Sequence, residues 1–181
     1  MRQNGSFSAD CEVIGQVMID FASAIGSEHF MPIFEKHGLG DIDPDQWYPV
    51  LDLLNALDEI SQQAGSMPDL VSIGMKSAEM AVLPPEYYEL SIPEIFQLMN
   101  EAYRVNVRGT DPGEIACDLI DDRHIRLTTR VPYPDDHWYG VCYGYMRRLA
   151  PPGTQFTIYY DDDILRRDLG GDVTVIHVEW E

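Results

Sequence analysis

Positive charge is what this sequence has least of. Twelve Lys and Arg stand against 31 Asp and Glu, a formal net charge of −19 over 181 residues. Contacts to phosphate need Lys or Arg, so this balance excludes a nucleic-acid-binding module and charge-driven attachment to anionic membranes. Solubility is the simpler account of it, and a basic partner or a cationic ligand is the functional alternative. Cysteine is scarce too. Cys11, Cys117 and Cys142 lie far apart with no CxxC pair, which argues against a disulfide framework or a structural zinc site and for reduced thiols. No apolar run approaches the ~20 residues of a membrane span, and no basic-then-apolar leader opens the chain, so a cytoplasmic location is expected.

Catalytic signatures are missing as well. The sequence has no P-loop, GxGxxG or GxSxG. His29 and His37 share one predicted helix at a spacing of eight, not the four that puts two metal ligands on one helical face. Asp161-Asp162-Asp163 lacks the further ligands of a calcium loop and reads as a solvated turn. No metal site and no paired acid and base are predicted, and the chain is read as non-enzymatic.

What is present is a clear order of elements. Residues 1–9 are small and polar and are expected to be loosely held; residues 10–181 are expected to form one α+β domain. Apolar residues at helical spacing predict helices from Asp10 to Ile25, from Ser27 to Gly38, from Asp43 to Gly65, and from Met67 to Val82. A fifth opens at Ser91-Ile92-Pro93-Glu94, an S-x-x-E capping box, and runs towards Val107. Alternation then takes over. Glu114–Val131 reads as a hairpin turning at Asp121-Asp122. Pro132 and Pro134 lead into a helix, with Asp135 as its cap, Arg147 and Arg148 near its end, and Pro151-Pro152-Gly153 as its stop. Residues 156–160 and 173–180 give two more strands around an irregular link. Thus an N-terminal helical part packs on an antiparallel sheet with strand-strand-helix-strand-strand order.

The last helix carries Trp138, Cys142 and Tyr145 on one face. Two readings are open: the stripe packs on the sheet with Cys142 as a small buried hydrophobe, or it lines an apolar cavity to which Tyr and Trp offer polar tips. Gly140 and Gly144 weaken the helix and suggest close approach of a neighbour. Arg126, Thr128 and Arg130 share the face of the second strand opposite Leu127 and Thr129. They either neutralise nearby acids or hold an anionic group in a guanidinium fork.

The stretches SIPEIFQLMNEAYRVNVRG, EIACDLIDDRHIRLTTRV, DHWYGVCYGYMRRLA, QFTIYY and DVTVIHVEW together resemble a superfamily. Its members are the haem-dependent nitric-oxide/oxygen sensors (H-NOX), the 4-vinyl reductase domain and the TRAPP-type trafficking subunits. The haem sensors carry an iron-ligating His on the helix before the first hairpin. The equivalent place here is near Asn100, and no His lies between His37 and His124. Their haem propionates are held by Tyr-x-Ser-x-Arg. Here Arg126-Leu127-Thr128-Thr129-Arg130 keeps the final Arg, replaces Ser by Thr128 and has Arg126 in place of Tyr. The resemblance therefore implies a haem-free sensor or small-molecule-binding domain in bacterial signalling, with no cofactor expected. An apolar or amphipathic ligand would lie near Met99, Tyr103, Trp138, Cys142 and Tyr145, its polar end held by Arg126, Thr128 and Arg130. The alternatives are a ligand-free adaptor, as homodimer or complex subunit, and a haem protein using Cys142, His124 or His137.

Overall fold

The structure is a computed structural model, and it describes residues 7–25, 30–62 and 69–181. Two antiparallel sheets organise it. The smaller has the order β2-β1-β3 and is built from β1 (Glu12–Ile14), β2 (Trp47–Pro49) and β3 (Val107–Arg108). The larger has the order β4-β5-β7-β6, from β4 (Glu114–Asp121), β5 (His124–Arg130), β6 (Phe156–Tyr160) and β7 (Thr174–Trp180). The helices are α1 (Gly15–Ile25), α2 (Met31–Lys36), α3 (Val50–Gln62), α4 (Leu70–Met80), α5 (Ile92–Gln97), α6 (Met99–Asn106) and α7 (Asp135–Leu149). The α+β architecture and the strand-strand-helix-strand-strand order are those expected.

Several boundaries differ, each for a physical reason. The first and third expected helices both begin as strands. Val13 and Ile14 pair with Tyr48 and Trp47, and Val50 N–H donates to Cys11 C=O, so β-forming side chains and a ladder partner override the helical spacing. The fourth helix ends at Met80, and Val82 beyond it is 97% exposed. The capping box at Ser91 and Glu94 is present as expected, but the helix it opens is interrupted at Leu98 between α5 and α6. Asp135 does not cap α7: its carboxylate is buried against Arg167, and Pro134 holds the N-cap place. Within the stretch expected to be loose, Ser8 is tied to Asp111 by backbone and hydroxyl hydrogen bonds. Residues 1–6, the expected start at Ser27, the Gly65 stop and Met67-Pro68 lie outside the described residues.

Helix α7 is the pivot between the layers. One side faces the sheet, where Tyr139 Oη donates to Ile158 C=O at 2.8 Å and Tyr143 meets Phe156 edge-on. The other side meets α4 backbone to backbone. A Cβ added at Gly140 would stand 2.1 Å from Val71 O, and one at Gly74 2.0 Å from His137 O. Only glycine permits this crossing. Arg148, in the last turn of α7, then donates to the carbonyls of Ala78 and Ala81 at 2.7 and 2.8 Å and so closes the C-terminus of α4. Among the described residues no helix is long and apolar enough to cross a membrane.

Candidate functional site

The region between the N-terminal helices, α6 and the start of α7 is aromatic. His137 stacks on Phe21 of α1 with centroids 4.8 Å apart and lies 5.8 Å from Tyr133. Trp138 sits edge-on to His137 at 6.3 Å and to Tyr103 of α6 at 6.2 Å. Local sequence explains the gathering. Pro132 and Pro134 flank Tyr133 just before the helix, and the first turn of α7 then delivers His137 and Trp138 side by side.

This cluster holds three buried polar atoms without a hydrogen-bond partner: Tyr133 Oη, His137 Nδ1 and Trp138 Nε1. A buried polar group left unpaired costs about 1–3 kcal/mol, so three in adjoining rings are an anomaly that calls for water or a ligand. Burial pushes the His137 imidazolium pKa down to about 4, so the ring is neutral at neutral pH. Burial likewise raises the phenols of Tyr133 and Tyr103, which stay protonated. His137 Nε2 has Ser77 Oγ at 3.5 Å, and Tyr103 Oη donates to Pro112 C=O. The interior thus presents an apolar wall, a donor-only indole, a hydroxyl and one neutral imidazole nitrogen.

Of the residues expected to form a site, Met99, Tyr103, Trp138 and Cys142 are buried in one continuous core with Tyr145 packed against it, and Tyr103 touches Trp138 directly. Burial, and next the neighbouring Cys117, raise the Cys142 thiol, which makes it an inert core residue. Arg126, Thr128 and Arg130 are not part of this group. They lie on the other face of β5, away from Ile125, Leu127 and Thr129. Arg126 pairs with Asp118 at 2.8 Å, and Arg130 pairs with Asp111 at 2.9 Å. The expectation that they hold the polar end of an interior ligand is therefore corrected: the period of the strand sends the two sets to opposite faces.

The guanidinium that does reach the interior is Arg167, which sequence reading missed. It is fully buried against Asp135 at 3.2 Å, donates to Val131 C=O, and donates to Tyr133 C=O at 2.9 Å. Asp168 N–H donates to Asp135 Oδ2 at 3.0 Å. The link between β6 and β7 is thereby pinned over the start of α7. Burial holds the Arg167 pKa below its ordinary value and raises that of Asp168. Nothing local marked Arg167, because a charge in a loop reads as solvated until its partner is known. Tyr133 and His137 had a weak signal, as aromatic rings flanking a helix start between prolines.

Asn100 Oδ1 accepts the N–H of Ile115 at 3.0 Å and fixes the start of β4. Among the described residues no three His, Cys, Asp or Glu side chains form a ready metal cage.

No family model matches this chain, and no curated protein matches it. Solved structures do. An H-NOX protein from S. oneidensis, a mutant in the Fe(II) ligation state, is 13% identical, with 93% of this chain and 96% of that one covered and a TM-score of 0.70. A T. tengcongensis H-NOX mutant is 12% identical over 91% of this chain and 95% of that one, with a TM-score of 0.64. A structure described by its effect of porphyrin distortion on haem redox potential is 13% identical over 91% and 96%, with a TM-score of 0.65. The chain has an H-NOX-like fold along nearly its whole length.

Proposed function

We propose that this chain is a non-enzymatic sensor or small-molecule-binding domain that uses the H-NOX-like fold without haem. The observation that carries the reading is the set of unpartnered buried atoms, Tyr133 Oη, His137 Nδ1 and Trp138 Nε1, within one aromatic cluster between α1, α6 and the start of α7. They suit a small, uncharged, largely apolar molecule bearing an oxygen that accepts from indole and phenol.

The residues present do not fit a haem. Asn100 replaces an iron ligand and is committed to Ile115. The Arg126 and Arg130 row is on the far face of β5 and already paired with acids. His137, the buried imidazole, has Phe21 and Tyr133 against its ring and Ser77 at its Nε2. A role in bacterial signalling belongs to the same proposal and rests on the likeness of fold. One observation favours the second reading, a ligand-free adaptor: Tyr103 and Trp138 pack edge-on against each other within the core.

Ligand linkage separates the two. A bound molecule raises stability with its concentration relative to its dissociation constant. The chain as purified should unfold at a higher temperature than the same chain refolded after denaturing extraction. Tyr133→Phe should narrow that gap. Equal midpoints before and after extraction would remove the ligand-binding reading and leave the adaptor.

A further inference from the structure

The link between β6 and β7 carries apolar side chains that the fold leaves uncovered. Residues 161–172 read DDDILRRDLGGD. Ile164 is 42% exposed, Leu165 57% and Leu169 64%. A single exposed aliphatic is ordinary, but three within six residues on one tip form a patch. The tip is compact. The N–H groups of Leu169 and Gly171 both donate to Arg166 C=O, at 3.0 and 2.9 Å, and Gly170 turns the chain back with a φ of 104°.

The tip is also anchored along its length. Asp161 Oδ1 accepts the N–H groups of Asp163 and Ile164 at 2.9 and 3.1 Å. Arg167 N–H donates to Thr174 Oγ1 at 3.0 Å, and its buried guanidinium reaches the chain before α7. Arg166 lies over the Tyr160 ring at 4.1 Å. A backbone fixed in this way has already lost the entropy that binding would otherwise cost, so the three aliphatics are presented as a pre-organised contact surface. The charge around them has one sign. Asp161 pairs with His177 and Asp168 with Arg166, while Arg167 pairs with Asp135. The carboxylates of Asp162, Asp163 and Asp172 form no ion pair among the described residues.

We propose that Ile164, Leu165 and Leu169 form a docking surface for a partner protein whose contacting segment carries aliphatic side chains flanked by Lys or Arg. The apolar centre supplies the contact area. The free acids beside it favour a basic partner and speed its approach. A second copy of this chain is disfavoured, because a two-fold pair would set the same three acids against their copies in a chain of net charge −19. An anionic membrane is repelled for the same reason. The surface lies by the start of α7 and does not depend on the interior cluster taking a ligand, so its test is separate from that of the interior.

The test is selection of peptides from a displayed random library on the full chain, followed by titration of the enriched peptide by fluorescence anisotropy. The expected peptides combine Leu, Ile or Met with Lys or Arg, and their affinity falls as salt rises. Leu165→Ser together with Leu169→Ser should weaken binding about tenfold. The thermal midpoint should stay that of the parent, since both side chains already stand in solvent. Asp162→Asn with Asp163→Asn should weaken binding less and flatten its salt dependence. Val82→Ser, at an exposed aliphatic near the other end of α7, should leave binding intact. No enriched peptide, enrichment of peptides without basic residues, or binding that survives the paired leucine change would overturn the proposal. So would self-association in sedimentation, or binding to neutral phosphatidylcholine vesicles, that the same paired change abolishes.

Discussion

At the scale of single residues, His137 has the most to say. Its imidazole is buried and its pKa is pushed from 6.5 down to about 4. In the unfolded chain the ring protonates first, so the stability gained by burying it neutral is full above about pH 6.5 and is lost as pH falls towards 4. The integrated loss is on the order of 3 kcal/mol. Urea midpoints measured from pH 7.5 to 4.5 should fall for the parent and fall less for His137→Phe; the difference between the two isolates this ring from the carboxylates around it. A parallel pair of curves would show that His137 is solvated. Arg167 teaches a different lesson. With both partners nearly inaccessible, the Asp135–Arg167 pair is not evidence of stability by itself, since desolvation offsets much of its attraction. Its use is positional: it fixes the link between β6 and β7 across the start of α7.

At the scale of elements, the crossing of α4 and α7 depends on absent side chains. Gly→Ala inside an exposed helix ordinarily stabilises by about 0.5–1 kcal/mol. At Gly140 the new methyl would meet the backbone oxygen of Val71 at 2.1 Å, and that atom belongs to a helix backbone that yields little. Overpacking of this kind costs about 1–3 kcal/mol, so Gly140→Ala should lower the midpoint of thermal unfolding, and Gly144→Ala, where the nearest atom is the Ala78 methyl at 2.6 Å, should do so less severely. A gain in stability at Gly140 would contradict the crossing. This contact was half legible. The glycine spacing announced a close neighbour, but α4 with its own Gly74 became identifiable only in three dimensions. The hairpin β4–β5, α7 and the strands β6 and β7 were readable because alternation, prolines and charge all agreed. The short strands β1 and β2 were not, because three residues of strand leave no period to detect and their pairing partners lie far away in sequence. The candidate site was legible on the helix, in Trp138, and on α6, in Tyr103. It was misread at Arg126 and Arg130, because alternation already set them opposite Leu127 and Thr129, the face the core takes, and an interior role was assigned to them all the same.

At the scale of the whole molecule, an H-NOX-like fold surrounds an interior in which Tyr133 Oη, His137 Nδ1 and Trp138 Nε1 lack partners, while the outer sheet face carries a separate group of imidazoles and carboxylates. Asn100 accepts the N–H of Ile115, and Arg126 and Arg130 lie on the outer face of β5. The proposed place of recognition is the aromatic cluster, and the proposed ligand is a small organic molecule. The most direct measurement is the native mass spectrum of the full chain purified from cells supplied with haem precursor. The account predicts one non-covalent organic adduct smaller than haem, released on denaturation and reduced in Trp138→Phe. One haem per chain, or a bare chain under every purification, would contradict it.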